Sequence, residues 1–145
     1  MTYDFKLSCT LAAAPQAVYD AWLDSAAHGA MTGGAAKIAK RVGGPHSAWD
    51  GYITGKTLEL VPGKRIVQSW RTSEFAAQDP DSTISVELEP TKAGMRLTLT
   101  HSGVPDGQRS YENGGWRDNY FAPMKAYFAS ERSKGKPAKN SAGRA

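Results

Sequence analysis

Two neighbouring segments of the chain alternate strictly between apolar and polar residues, and this period of two is the strongest constraint on the fold. The segments are residues 82–89 and 95–101, and Ala93-Gly94 provides a turn between them. The apolar positions are Ile84, Val86, Leu88, Met95, Leu97 and Leu99. In a β-strand, residues two apart lie on the same face. The sequence therefore predicts antiparallel strands with one buried and one solvent-facing side.

A second apolar pattern, with helical spacing, runs from about Glu112 to Ser130. Its apolar members are Trp116, Tyr120, Met124, Tyr127 and Phe128. Residues at this spacing share one face of an α-helix, so the segment predicts a long amphipathic helix. Pro123 lacks a backbone donor and should kink it. A sheet with one apolar face and an amphipathic helix must bury those faces against each other.

The remaining segments complete an α+β arrangement. Residues 5–11 alternate like a first strand, and Pro15 suits the first turn of a short helix that continues to Leu23. Asp24 can cap a second short helix. Residues 37–42 and 49–71 read as further strands separated by Gly- and Pro-containing turns. We therefore predict a curved antiparallel sheet wrapped around the C-terminal helix, with two short helices between strands 1 and 2.

Length and charge divide the chain into one domain and a basic tail. The 145 residues suit a single domain. Residues 132–145 contain five of the 18 basic residues and no acid, which leaves 13 basic and 14 acidic residues before them. The body is thus nearly neutral, and no nucleic-acid partner is expected. We predict a domain over residues 1–133 and a disordered tail over residues 134–145, because the tail lacks large apolar residues.

Several classes of site and location are not indicated. The single cysteine, Cys9, excludes an internal disulfide, and the three histidines lack metal-ligand spacing. Gly55-Lys56-Thr57 resembles the end of a phosphate-binding loop, but Asp50 replaces the required first glycine. No segment has the length of a membrane span or the order of a signal peptide. We therefore expect no cofactor or metal, no membrane span and a cytoplasmic location.

Continued alternation would direct one group of side chains towards the helix, where they are candidates to line a ligand pocket. The group comprises Trp49, Ile66, Gln68, Trp70, Ile84, Val86, Leu97, Leu99, His101, Trp116, Tyr120 and Met124. Such pockets are mostly apolar with a few polar groups, here Gln68, His101 and Tyr120. The alternative is that the aromatic residues are ordinary core, that Gln68 makes an internal hydrogen bond and that His101 is structural. Arg65, Arg71 and Arg96 fall on the opposite face and read as solvated charges.

Several motifs carry a resemblance to a known family. They are Asp50–Arg71 (DGYITGKTLELVPGKRIVQSWR), Leu97–Pro105 (LTLTHSGVP), Gly115-Trp116, Tyr120-Phe121, Lys125–Phe128 (KAYF) and, near the start, Val18–Leu23 (VYDAWL). Over residues 5–130 the chain resembles the domain named after the activator of the heat-shock protein 90 ATPase, of the START-like (birch-allergen-like, SRPBCC) superfamily. Met31 departs from the aromatic residue of many relatives. The resemblance implies a helix-grip fold, often with an apolar cavity between sheet and long helix.

The fold does not by itself select a function. We favour a non-enzymatic protein that binds a small apolar or amphipathic ligand in that cavity, because no catalytic constellation can be identified in the sequence. The resemblance implies an alternative, a co-chaperone module that stimulates the heat-shock protein 90 ATPase in a stress response. A cyclase- or hydrolase-like enzyme that uses His101, Tyr120 or Gln68 is a further alternative.

Overall fold

The computed structural model describes residues 2–105 and 115–135, with side chains to residue 129. Seven antiparallel strands form one sheet in the order β1-β7-β6-β5-β4-β3-β2. The elements, in chain order, are β1 Thr2–Leu11, α1 Pro15–Leu23, α2 Ser25–Thr32, β2 Lys37–Ile38, β3 Pro45–Ala48, β4 Ile53–Val61, β5 Arg65–Thr72, β6 Ser82–Thr91, β7 Gly94–Pro105, a π-helical turn Arg117–Phe121 and α3 Ala122–Gly135. The predicted α+β class and curved antiparallel sheet are confirmed.

The central strands place their apolar residues as the period of two predicts. In the register of β6 and β7, Val86 lies opposite Leu99, and Ile84 lies opposite His101. All four side chains are buried, whereas Thr83, Ser85 and the other alternate residues of β6 are more exposed. These buried cross-strand pairs thus form one side of the core.

Both short helices begin where their sequences indicate. Pro15 occupies the first turn of α1, where a missing backbone N–H breaks no hydrogen bond. The Asp24 carboxylate caps α2 by accepting a hydrogen bond from the backbone N–H of Ala27 at 2.8 Å. Gly33, with φ 92°, ends α2 in the left-handed conformation that glycine adopts without strain.

The C-terminal helix is less regular than its sequence pattern predicts. A π-helical turn over Arg117–Phe121 precedes α3, and the backbone N–H of Ala122 bonds to the Arg117 carbonyl, five residues earlier. Pro123 follows immediately and has no N–H to offer the carbonyl four residues before it, which accounts for the widened turn. The start of the predicted helix, residues 112–114, lies outside the described residues.

The helix also extends beyond the predicted domain boundary. It continues to Gly135, whereas the sequence predicts disorder from residue 134. Each residue added to an existing helix gains one hydrogen bond, so a helix end can form without apolar side chains. Residues 136–145 lie outside the described part of the chain, and their disorder stays a prediction.

Arg71 is more than a solvated charge. Its guanidinium donates to the Asp81 carboxylate at 2.8 Å and to the backbone carbonyls of Asp79 and Ala76, each at 3.1 Å. The same group lies 5.5 Å from the centre of the Phe75 ring. Arg71 therefore holds the loop between β5 and β6, a role that alternation along one strand does not reveal.

Candidate functional site

An open cleft of about 430 Å³ lies between the start of β4, the end of β5 and the π-helical turn. Its walls are largely aromatic, and the lining residues are Trp49, Tyr52, Ile53, Trp70, Gly115, Trp116, Asn119 and Tyr120. None of them carries a charge. The volume lies in the range of small-molecule sites, which are mostly apolar with a few polar groups.

The aromatic wall is one continuous stack that joins the sheet to the π-helical turn. The ring centres of Trp70 and Trp116 are 5.4 Å apart, and those of Trp116 and Tyr120 are 4.8 Å apart. Trp22 of α1 extends the stack, with its ring centre 5.2 Å from that of Tyr120. These separations are typical of favourable offset and tilted aromatic pairs. The stack thus supports the cleft from behind as well as lining it.

A chain of hydrogen bonds holds His101 in one tautomer. The indole N–H of Trp116 donates to Nδ1 of His101 at 3.1 Å, so this nitrogen is an acceptor. Nε2 therefore carries the proton and donates to the Ser82 hydroxyl at 2.9 Å, and that hydroxyl donates to the Trp70 carbonyl. Burial lowers the pKa of His101 to about 3, and the nearby charge of Asp4 raises it only partly. A neutral imidazole with both nitrogens engaged is a positioning group for Trp116.

His28 holds Tyr120 in a matching way, with the opposite tautomer. Its Nδ1 lies 2.8 Å from the Trp22 carbonyl, which can only accept, so Nδ1 carries the proton. Nε2 then accepts a hydrogen bond from the Tyr120 hydroxyl at 2.9 Å. Burial lowers the pKa of His28 to about 4, a change that the Trp22 carbonyl opposes and His46 supports. Burial also raises the pKa of Tyr120. Two neutral histidines thus fasten the π-helical turn.

Gln68 belongs to a third buried hydrogen-bond network. Its carbonyl oxygen accepts from the Trp22 indole N–H at 3.1 Å, and its amide donates to the Thr57 hydroxyl at 3.2 Å. Of the two interpretations open for Gln68, these contacts are those of an internal hydrogen-bond partner. Buried amides require such partners, since an unpaired one costs free energy.

The predicted pocket residues separate into two layers. Trp49, Trp70, Trp116 and Tyr120 line the cleft. Behind it, Gln68 and Ile84 border a small void of about 10 Å³, which has room for one water molecule at most. The others are buried without lining the cleft: Ile66, Val86, Leu97, Leu99, His101 and Met124. This second layer is part of the buried core, and its assignment to a ligand pocket stays a prediction.

Tyr52, Ile53, Asn119 and His28 are site residues that the sequence did not reveal. Tyr52 and Ile53 lie where a turn enters β4, so the alternation does not assign them to a face. Asn119 lines the cleft from the π-helical turn, but it is polar and so is absent from the apolar pattern of the predicted helix. His28 lies in the short helix α2, and its hydrogen-bond partner Tyr120 is 92 residues away along the chain. A pattern within one element carries no signal for such contacts.

Trp49 departs from ordinary local geometry in two respects. Its φ is 52° and that of Asp50 is 57°, a left-handed conformation that is uncommon for residues other than glycine. Its indole Nε1 is buried and has no hydrogen-bond partner among the described residues. Strained residues and unpaired polar atoms concentrate at functional sites.

Metal binding and membrane crossing find no support in the described part of the chain. Within residues 2–105 and 115–129, no three His, Cys, Asp or Glu side chains are grouped so that they could hold a metal ion. None of the helices described combines the length and apolarity required to cross a bilayer.

Comparisons with known proteins agree on one family. Residues 12–129 match the family model described as "Activator of Hsp90 ATPase homolog 1-like protein". An uncharacterised protein of Schizosaccharomyces pombe is 28% identical over 127 residues, and the human activator of 90 kDa heat shock protein ATPase homolog 1 is 25% identical over 127 residues. Each alignment covers 88% of this chain. The chain spans only 38% and 37% of those relatives' lengths.

Solved structures show the same fold. The crystal structure of an HSP90 activator from Plasmodium falciparum has a TM-score of 0.80 at 24% identity and covers 88% of this chain and 96% of that chain. A protein from Chromobacterium violaceum has a TM-score of 0.71 at 29% identity, with 87% and 96% covered. The helix-grip, START-like fold implied by the sequence motifs is confirmed. The chain therefore belongs to the family of activator of Hsp90 ATPase homolog 1-like proteins.

Proposed function

We propose that this protein binds a small, uncharged, apolar or amphipathic molecule in the aromatic cleft. The observation that carries the proposal is the open cleft of about 430 Å³ with tryptophan and tyrosine walls. Burial of apolar ligand surface against such walls provides the affinity, at roughly 25 cal/mol per Å² before the cost of immobilising the ligand. No catalytic step is assigned, because His101, Tyr120 and Gln68 each serve a structural hydrogen bond.

Ligand titrations followed by tryptophan fluorescence test the proposal, since three of the four tryptophans line the cleft. Suitable probes are naphthalene, indole and methyl decanoate. We expect saturable quenching or a spectral shift with at least one of them. Tyr52→Ala should weaken that binding about three- to tenfold through the loss of an aromatic contact. Leu58→Ala is the matched control, because Leu58 is exposed on β4 outside the cleft. This substitution should leave the affinity for the probe unchanged. No saturable response to any probe up to about 1 mM would contradict the proposal.

We further propose, as a second candidate, that the protein stimulates the ATPase of a chaperone of the heat-shock protein 90 class. The names of the human relative and of the Plasmodium structure support this candidate. Its test is the ATPase rate of the cognate chaperone with and without this protein. An unchanged rate together with no detectable binding would contradict it. Tyr52→Ala separates the two functions, because stimulation that is independent of the cleft should survive this substitution.

A further inference from the structure

One long edge of the sheet is open to pairing with a further strand. β1 lies at the end of the strand order, pairs only with β7 among the described residues, and contains no proline in its ten residues. β2, at the other end of the sheet, has only two residues. The unpaired N–H and C=O groups of a long edge strand are a template for another strand, whereas a very short edge strand offers little.

We propose that two copies of this protein pair through β1. The two strands run antiparallel about a two-fold axis at Phe5, so that Asp4 of each copy lies opposite Lys6 of the other and the two sheets join into one. This inference goes beyond the cleft and its ligand, since none of the residues that line the cleft lies on β1.

β1 remains a regular strand even where its pairing with β7 is irregular. Between Tyr3 and Phe5, β1 contributes one residue to the pairing and β7 contributes two. The extra residue thus belongs to β7, where Gly103 has a φ of 71°. A bulge bends the strand that carries it, and along β1 the more exposed and less exposed residues alternate without interruption. The free edge of β1 is therefore an unbroken ladder.

The charges on β1 select one register for such a pair. Asp4 is the only acidic residue of this strand, Lys6 is the only basic one, and both are exposed. Directly opposite side chains of an antiparallel pair lie on the same face, so apolar residues meet apolar ones when the axis passes at a residue. An axis at Phe5 places Asp4 opposite Lys6 twice, whereas an axis at Asp4 or at Lys6 places like charges opposite each other. Opposite charges stabilise a cross-strand pair and like charges destabilise it.

Both charged groups are available for this contact. Lys6 forms no ion pair with any of the described residues. The Asp4 carboxylate accepts a hydrogen bond from the backbone N–H of Gly103 through Oδ1 at 2.9 Å, which leaves Oδ2 for the lysine of the second copy. Exposed ion pairs contribute little stability by themselves. The charges therefore set the register, and the backbone hydrogen bonds and apolar contacts supply the affinity.

The same register covers apolar side chains that a single copy leaves half-buried. Tyr3, Phe5 and Leu7 pack against the core but remain partly exposed, whereas Leu97 and Leu99 of the neighbouring strand β7 are fully buried. Across the axis the two Phe5 rings meet, and Tyr3 lies opposite Leu7. Aromatic and aliphatic pairs of this kind stabilise adjacent strands. The second copy thus continues the core at the edge where it ends.

Sedimentation equilibrium of the full chain tests the proposal. We expect the wild type to form a reversible dimer. Lys6→Glu should raise its dissociation constant at least about tenfold, because two attractive cross-strand pairs become two repulsive ones. Lys56→Glu, at an exposed position of β4, is the matched control and should leave the dissociation constant unchanged. Both substitutions lower the net charge of +4 by two, so a general charge effect would be equal in the two variants.

A mixture of two variants tests the register itself. Asp4→Lys alone should dimerise as poorly as Lys6→Glu, because each places like charges opposite each other. A mixture of the two variants has opposite charges at both positions, and we expect it to form a heterodimer about as tightly as the wild type dimerises. Asp4→Lys also loses the hydrogen bond to Gly103, so its thermal unfolding is recorded to show that it is folded.

Hydrogen exchange of the wild type locates the interface without any variant. At about 1 mM the backbone amides of β1 should exchange more slowly than at about 10 μM, and those of β2 should not change. A monomer at about 1 mM would overturn the proposal. A dimer that Lys6→Glu and Lys56→Glu weaken equally, or one that protects another edge, would also overturn it. Protection of β1 at every concentration would mean that another segment of the same chain covers this edge, and that result overturns the proposal as well.

Discussion

Two buried histidines, His28 and His101, hold aromatic side chains of the cleft in fixed positions by hydrogen bonds. His101 accepts from Trp116, directly before the π-helical turn, and His28 accepts from Tyr120 within it, so each histidine holds one aromatic ring against the body. Both imidazoles must be neutral for these contacts, because each accepts through a nitrogen that protonation would turn into a donor. The geometry of the cleft wall therefore depends on His28 and His101, which are buried and do not line the cleft.

Removal of the Tyr120 hydroxyl should destabilise the protein. In Tyr120→Phe the Nε2 acceptor of His28 is left buried and unpaired, and we expect a loss of about 1–3 kcal/mol in the free energy of unfolding. Urea denaturation measures it. Tyr127→Phe, half-buried on α3, is the matched control and should change stability by no more than about 0.5 kcal/mol. Equal stabilities of Tyr120→Phe and the wild type would show that the hydroxyl is not held by His28.

Stability should fall with acidification in a range set by the histidines. Burial lowers the pKa of His28 to about 4 and of His101 to about 3, from an ordinary value of 6.5. Below pH 6.5 the unfolded chain takes up protons that the folded state does not, so stability decreases as the pH falls towards about 4. In that interval, each of these two histidines should lower the free energy of unfolding by about 1.4 kcal/mol for each unit that the pH falls.

Substitution of one histidine provides the control for this pH dependence. His101→Gln removes one titrating group, and its difference in unfolding free energy between pH 6.5 and pH 5.0 should be smaller than that of the wild type by about 2 kcal/mol. Guanidinium denaturation at the two pH values measures both proteins. An identical difference in the two proteins would mean that His101 is not held neutral by the fold.

Among the elements, β4 combines an irregular register with a close contact at Gly55. Its register with β5 shifts between Thr57 and Glu59, so the two strands are irregularly paired there. The imidazole of His46, on β3, reaches across Gly55 to donate from Nε2 to the Ser69 carbonyl of β5 at 2.8 Å. Only a residue without a Cβ leaves space for this contact.

Gly55→Ala should consequently destabilise the sheet. A Cβ at residue 55 would overlap the Ser69 carbonyl oxygen and lie 2.6 Å from His46 Nε2, and paired strands cannot easily move apart. We expect a loss of about 3 kcal/mol in the free energy of unfolding. Thr54→Ala, at the neighbouring exposed position, should cost no more than about 1 kcal/mol. Thermal and urea denaturation measure the stability of both variants. Comparable losses in the two would contradict the crowding at residue 55.

In the whole molecule, the open aromatic cleft lies at one end of the sheet, beside the buried core. The open cleft has a volume of about 430 Å³, and a much smaller void of about 10 Å³ lies behind it. The proposed ligand binding depends on this end of the sheet and on the π-helical turn, and the second layer of predicted pocket residues packs behind them.

The basic tail should be dispensable for this fold. Deletion of residues 136–145 removes Lys136, Lys139 and Arg144 and no large apolar residue. We expect Tm to change by no more than about 2 °C, since exposed changes are usually within about 0.5 kcal/mol. Scanning calorimetry of the shortened and full chains measures it. A drop of 5 °C or more would show that the tail contacts the domain.

Much of the fold follows from periodicity because the core strands obey a local rule. Ile84 and Val86 are buried as the period of two predicts, Pro15 begins α1 and Asp24 caps α2. The irregular C-terminal helix was only partly predictable, since Pro123 marks the interruption but not its form as a π-helical turn. The cleft was less predictable still, because Tyr52 lies in a turn and Asn119 is a polar residue outside the apolar pattern of the helix.

The sequence by itself determined the class of fold, the buried face of each central strand and the family, because these depend on residue spacing within single elements and on short motifs. Only the tertiary structure decided which buried polar groups meet: His28 with Tyr120, His101 with Trp116 and Gln68 with Trp22. These partners are between 15 and 92 residues apart along the chain. Hydrogen bonds act over about 3 Å and depend on direction, so no one-dimensional pattern specifies them.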